Sequence, residues 1–220
     1  KKGRDDHAPV EPRLPMELEG ALRSLYVHYE KRFKKWQSDP GASGLVTPPV
    51  FIVVCNNTTV SKMVFDWISG YQRSSRGGTP ATTMPVVVPG ELALFSNVER
   101  GADGVTGFSH RPNTILVDSE QLESGEALSG EFKAIAAREI DEFKQEYRAR
   151  NPGADPDKLT DEDILREVLN TVGKPGKLGE HVRCVVSVSM LTEGWDANTV
   201  THILGVRAFG TQLLCEQVVG

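Results

Sequence analysis

Val50-Phe51-Ile52-Val53-Val54-Cys55-Asn56-Asn57-Thr58 is the stretch from which the fold can be read. Six apolar residues in a row, rich in β-branched side chains, suit a strand covered on both faces, as strands of parallel sheets are. Pro48-Pro49 marks its start, and the polar Asn56-Asn57-Thr58 ends it. Val60, Met63, Val64, Trp67 and Ile68 then recur at helical spacing as far as Gly70. Strand, short polar turn and helix, in that order, form the front of a βαβ unit.

Upstream, Leu18, Leu22, Leu25, Tyr26, Tyr29, Phe33 and Trp36 repeat at intervals of three and four, which predicts a helix from Pro15 to the break at Pro40. Residues 1–14, proline-rich and of mixed charge, read as a linker, so the domain is expected to span 15–220. Downstream, Tyr71 to Arg111 is rich in Gly, Ser, Thr and Pro and reads as irregular, with one short apolar segment at Pro85 to Val88. Thr114 to Asp118 reads as a second buried strand. Glu131 to Arg150 reads as an amphipathic helix through Phe132, Ile135, Ala136, Ile140, Phe143 and Tyr147. A further helix is expected from Thr160, where Thr160 and Asp163 have the spacing of a capping box, until Gly173 to Gly179 breaks it. Val182 to Met190 and Val200 to Val206 are two more strand candidates, and Gly210-Thr211 opens a last helix. Strands alternating with helices predict a three-layer α/β domain with a mostly parallel sheet and ligands at the carboxyl ends of its strands.

A chain of 220 residues can bury a real core without staples. Its three cysteines, Cys55, Cys184 and Cys215, sit in apolar segments with neither disulfide-framework nor zinc spacing, which predicts a reduced, cytoplasmic protein without a metal site. No apolar run approaches the roughly 20 residues of a membrane span. The net charge of -5 argues against wrapping nucleic acid with the whole surface, while leaving room for a local contact.

Several motifs invite a chemical reading that their setting weakens. Asp161-Glu162-Asp163 mimics an acidic magnesium box but follows no apolar strand, so a helix start explains it better. Gly173-Lys174 and Gly176-Lys177 lack the remainder of a phosphate-binding loop. His202, inside an apolar strand, reads as packed rather than catalytic. Lys31, Arg32, Lys34 and Lys35 lie among Tyr29, Phe33 and Trp36, a mixture able to hold single strands. That aromatic spacing equally matches a packed helix face with cations on its solvated side. The segment from Ser187 to Asn198 gathers hydroxyls, a glycine and two carboxylates at the end of a buried strand. From residue types alone, a capped polar loop and a phosphate-contacting site stand about even.

Here the sequence resembles a known family. Val186-Ser187-Val188-Ser189-Met190-Leu191-Thr192-Glu193-Gly194-Trp195-Asp196-Ala197-Asn198-Thr199-Val200, followed by Gln212-Leu213-Leu214-Cys215-Glu216-Gln217-Val218-Val219-Gly220, resembles motif V and the start of motif VI of type III restriction enzyme Res subunits. These are superfamily 2 helicases whose motor has two RecA-like domains. Val50 to Trp67 is similar to the motif IV region opening the second of them. The resemblance implies a RecA-like domain with a helical insertion over 119–179 and an N-terminal helix. It implies that Gly194, Asp196, Gln217 and Gly220 face the nucleotide, and that Ser187, Ser189, Thr192, Asn56, Asn57 and Thr58 lie along the DNA. The implied cofactors are ATP and Mg2+ in the full-length enzyme, with neither held by this chain alone. The implied partners are DNA, the first RecA-like domain of the same chain and a methyltransferase subunit. With no P-loop, no magnesium box and no motif VI arginines among the 220 residues, the chain by itself is expected not to turn over ATP. The alternatives are the motor domain of a stand-alone repair or phage-defence helicase, and a non-catalytic α/β binding module.

Overall fold

The computed structural model describes residues 12–39, 47–74, 85–101, 104, 106–109, 111–117, 133, 137–153, 155–188 and 200–206. Helix α1 (Met16–Ser38) is followed by strand β1 (Val50–Val54), helix α2 (Thr58–Ser69) and two short hairpins. The first hairpin joins β2 (Gly70–Ser74) to β3 (Pro85–Pro89), and the second joins β4 (Val98–Arg100) to β5 (Thr106–Phe108). Strand β6 (Thr114–Val117), helices α3 (Ala137–Arg150) and α4 (Asp161–Asn170), and strands β7 (Cys184–Ser187) and β8 (Val200–Gly205) complete the order.

Four strands form one parallel sheet in the order β6-β7-β1-β8. The run that begins at Val50 is therefore an interior strand, and every residue of β1 is buried. Alternation of side chains along each strand divides the core in two. Phe51, Val53, Cys184 and Val186 face Leu22, Tyr29 and Phe33 of α1 and Val64, Trp67 and Ile68 of α2. Val50, Ile115, Val117 and Val185 face Ile140 of α3 and Ile164, Leu165, Val168 and Leu169 of α4. Three layers result, helix on sheet on helix. Covering a residue such as Phe51 completely stabilises the fold by about 1.5–3 kcal/mol. The segment read as an insertion contributes, through α3 and α4, the helical layer on one sheet face. It connects β6 to β7, neighbouring parallel strands that require a crossover.

Local chemistry explains the helix ends. Thr160 caps α4: its hydroxyl accepts from the Asp163 N–H at 3.2 Å while the Asp163 carboxylate accepts from the Thr160 N–H at 2.9 Å. The Thr160 N–H, and the Thr160 hydroxyl at 2.8 Å, both lie against the Asp163 carboxylate and hold it below the usual carboxylate range. Asp161 to Asp163 thus start a helix, as their setting in the sequence predicts. Past α4, Gly173 adopts φ 71° and Gly176 φ 72°, left-handed conformations that favour glycine at the break.

One expectation is corrected. Residues 71–111, read as irregular, hold the two antiparallel hairpins. The strands are short: β2 is mostly polar, and the apolar run of β3 is only three valines long with a proline at each end, so neither hydrophobic alternation nor a β-branched run of full length marks them.

Candidate functional site

The strand order brings four strand ends to one edge. Val54 pairs in register with Ser187 on one side and with Gly205 on the other, and Val117 pairs with Ser187. The carboxyl ends of β6, β7, β1 and β8 are therefore level. The ladder continues past the strands, with Cys55 N–H donating to the Ser187 carbonyl at 2.7 Å and Val206 N–H to the Val54 carbonyl at 2.8 Å. In the strand order β7 and β8 lie on opposite sides of β1, which makes this edge a topological switch point. Open α/β sheets bind their ligands in the crevice outside such a point.

The turn after β1 is the best-defined part of the edge. Asn57 is the N-cap of α2, its side-chain oxygen accepting from the Val60 N–H at 2.9 Å, and its amide nitrogen donates to the Asn56 side-chain oxygen at 3.1 Å. Thr58 and Thr59 are the first two helical residues, and their N–H groups have no acceptor within the helix. Asn56, Asn57, Thr58 and Thr59 are all exposed. Uncharged donors thus lie at the positive end of a helix dipole, where anions are favoured. Thr59 was not singled out in the sequence; its signal was the position two residues after an Asn cap.

Ser187 occupies the same edge, but its side chain is buried, at 2% exposure. Ser189, Thr192, Gly194, Asp196, Gln217 and Gly220 lie outside the described residues. The structure brings together Ser187 and the Asn56-Asn57-Thr58 turn.

Elsewhere the competing motifs resolve into packing. Tyr29 and Phe33 are buried in the α1 interface, while Lys31, Arg32, Lys34 and Lys35 are exposed. Cys55 and Cys184 are free and buried; desolvation pushes the Cys55 thiol up to about 12 and that of Cys184 up as well. Neither is a thiolate nucleophile at neutral pH. Among the described residues, no group of three or more His, Cys, Asp or Glu side chains could hold a metal ion, and no helix is long and apolar enough to cross a membrane.

His202 stacks on Phe51, with ring centroids 5.9 Å apart, and meets Tyr29 edge-on at 5.6 Å. Burial lowers its pKa, and Arg32 and His28 on α1 lower it further. A folded-state pKa below the unfolded one means that folding favours the neutral ring. Its contribution is present above the unfolded pKa and is lost as pH falls through that value towards the folded pKa. The melting temperature of the wild type is therefore expected to drop more steeply between pH 7 and 5 than that of His202→Asn. Parallel slopes would show that the imidazole is not an acid-sensitive part of the α1 interface.

Comparison of the chain with protein-family models, with curated proteins and with solved structures found no match.

Proposed function

We propose that this chain is the second, RecA-like motor domain of an ATP-dependent DNA translocase of the type III restriction enzyme kind. The observation that supports it most is the switch point. The Asn56-Asn57-Thr58 turn, the end of β7 that leads into the Ser187 to Val200 motif, and the end of β8 that leads towards Gln217 all share one sheet edge. On this reading Gly194, Asp196 and Gln217 form one wall of an ATP cleft whose other wall is a first motor domain. The exposed donors after β1 and the hydroxyls of Ser189 and Thr192 hold DNA phosphates without reading bases. Closing of the cleft moves those contacts relative to the other domain, which converts nucleotide binding into movement along DNA.

ATP supplies the phosphoryl chemistry, with Mg2+ neutralising charge on its phosphates. The acidic triplet in this chain does not fit the metal: Asp163 is used by Thr160, and Glu162 pairs with Arg166 at 3.0 Å. Residues of the partner domain would hold magnesium and the terminal phosphates. A methyltransferase subunit would select the DNA sequence, since the donors after β1 present no base-reading pattern.

Asn57→Asp in the two-domain protein tests this reading against a purely structural cap. Asp caps a helix as well as Asn does and interacts favourably with the dipole, so the melting temperature should hold or rise slightly. A phosphate lying on the same turn would meet a new negative charge, and DNA affinity is expected to fall about tenfold, of the order of one charge-assisted hydrogen bond. Unchanged affinity in a stable variant would remove the turn from the DNA track. Charge reversal at Lys31 and Lys35 is the matched control, because it tests the exposed face of α1 as the rival path.

A further inference from the structure

Arg183 lies at the opposite, amino end of the sheet, immediately before β7. Its N–H donates to the Asn113 carbonyl at 2.8 Å and its carbonyl accepts from the Phe51 N–H at 2.8 Å, so its backbone is fixed between β6 and β1. Its guanidinium sits over the Phe33 ring, 4.7 Å from the centroid. The side chain is partly buried, and desolvation holds its pKa below the ordinary guanidinium value; the phenols of Tyr29 and Tyr26 are the groups that oppose this. Among the described residues no carboxylate or other acceptor pairs with it. Glu30 on α1 is already paired with Lys34 at 3.0 Å.

Among the described residues, a second donor beside the same ring lacks a partner. Trp36 packs against Phe33 with centroids 5.7 Å apart, and none of the described residues offers an acceptor to its buried indole N–H. A partly buried cation without a counter-ion and a buried N–H without an acceptor each cost stability. Both are deficits of the same kind, a missing oxygen acceptor. A guanidinium held over an aromatic face keeps its in-plane N–H groups available, and their fork matches two oxygens of a carboxylate or phosphate.

We infer that Arg183, over Phe33, is an oxyanion-binding site at the amino end of the sheet, separate from the edge proposed for nucleotide and DNA. The ligand chemistry is a carboxylate or phosphate group accepting two hydrogen bonds from the guanidinium, with the Trp36 indole close enough to report on its arrival.

The test follows the three tryptophan indole N–H resonances of the chain, with Trp36 assigned from Trp36→Phe. Sodium phosphate and sodium acetate are titrated separately, with sodium chloride at matched ionic strength as reference. The Trp36 resonance is expected to shift saturably with phosphate or acetate and not with chloride, and the tighter of the two identifies the source. Arg183→Gln should weaken that binding at least tenfold. Arg183→Lys, which keeps the charge but loses the fork, should weaken it less. A Trp36 resonance that ignores both oxyanions in the wild type overturns the site. So does an equal response in wild type and Arg183→Gln when the other two indole resonances show the variant folded.

Discussion

Asn97→Ala is expected to cost the domain about 3–5 kcal/mol, because one side chain satisfies three backbone groups, two of them buried and one partly buried. The Asn97 side-chain oxygen accepts from the N–H of Asn113 at 2.8 Å and of Thr114 at 2.9 Å, and its amide donates to the Thr114 carbonyl at 2.8 Å. Strand β6 is an edge of the sheet, and Asn97 stands beside it as the peptide group of a further strand would. Its own backbone is tied at both ends, its N–H to the Ser69 carbonyl and its carbonyl to the Ser109 N–H, each at 2.7 Å. Alanine would leave the Thr114 groups without partners at a position only 1% exposed, where water cannot replace them. Each stranded group costs on the order of 1–3 kcal/mol, and three lost bonds set the estimate. Urea denaturation measures it: the midpoint should fall with the slope unchanged. A loss below 1 kcal/mol would mean that the edge of β6 is held by other contacts.

Asn97 also shows where the sequence stops being readable. The sheet and its helices come from patterns that physics ties to one outcome: the apolar run of β1, the three-four spacing of α1, the Thr160–Asp163 box. Asn97 lies in a Gly-, Ser- and Pro-rich stretch where an Asn ordinarily signals a turn. Nothing local says that its amide spans to Thr114, 17 residues away. The hairpins around it are hidden for a related reason, since β4 and β5 have three residues each and too few positions to show a period. At the candidate site the turn was legible, because Asn followed by a helical stripe implies a cap. The burial of Ser187 was not. A strand-end motif gives the position of a residue but not its side-chain direction. That follows only from the register, in which Val186 faces α1 and α2 and the next residue faces the other way.

Gly179→Ala is expected to be the more damaging substitution, of about 4 kcal/mol or more, and to reduce the yield of soluble protein. A β-carbon built on Gly179 would lie 2.1 Å from the Val168 carbonyl oxygen, 2.6 Å from the Val172 nitrogen and 2.7 Å from the Thr171 carbonyl carbon. All three are backbone atoms, so no rotamer change can relieve the clash. The close approach is used: Gly179 N–H donates to the Thr171 hydroxyl at 3.0 Å, and its carbonyl accepts from Gly173 N–H at 3.0 Å and Val182 N–H at 3.1 Å. These bonds fold the loop after α4 back on the helix end and aim Val182 and β7 into the sheet. Making room would displace Val168 and Val172, which are 0% and 2% exposed, and overpacking a core of this kind costs about 1–3 kcal/mol even where side chains can yield. Gly20→Ala is the contrasting variant, since a β-carbon there meets nothing within 4 Å. In the interior of α1 it should stabilise by about 0.5–1 kcal/mol through helix propensity alone. Thermal unfolding of the two variants beside the wild type gives opposite signs if this packing is right. Because Gly179 leads directly into β7, a Gly179 variant would lose ligand binding through misfolding without touching the site. A soluble Gly179→Ala protein with wild-type stability would show that the loop after α4 does not lie against the helix end, and with it the lead-in to β7 would have to be redrawn.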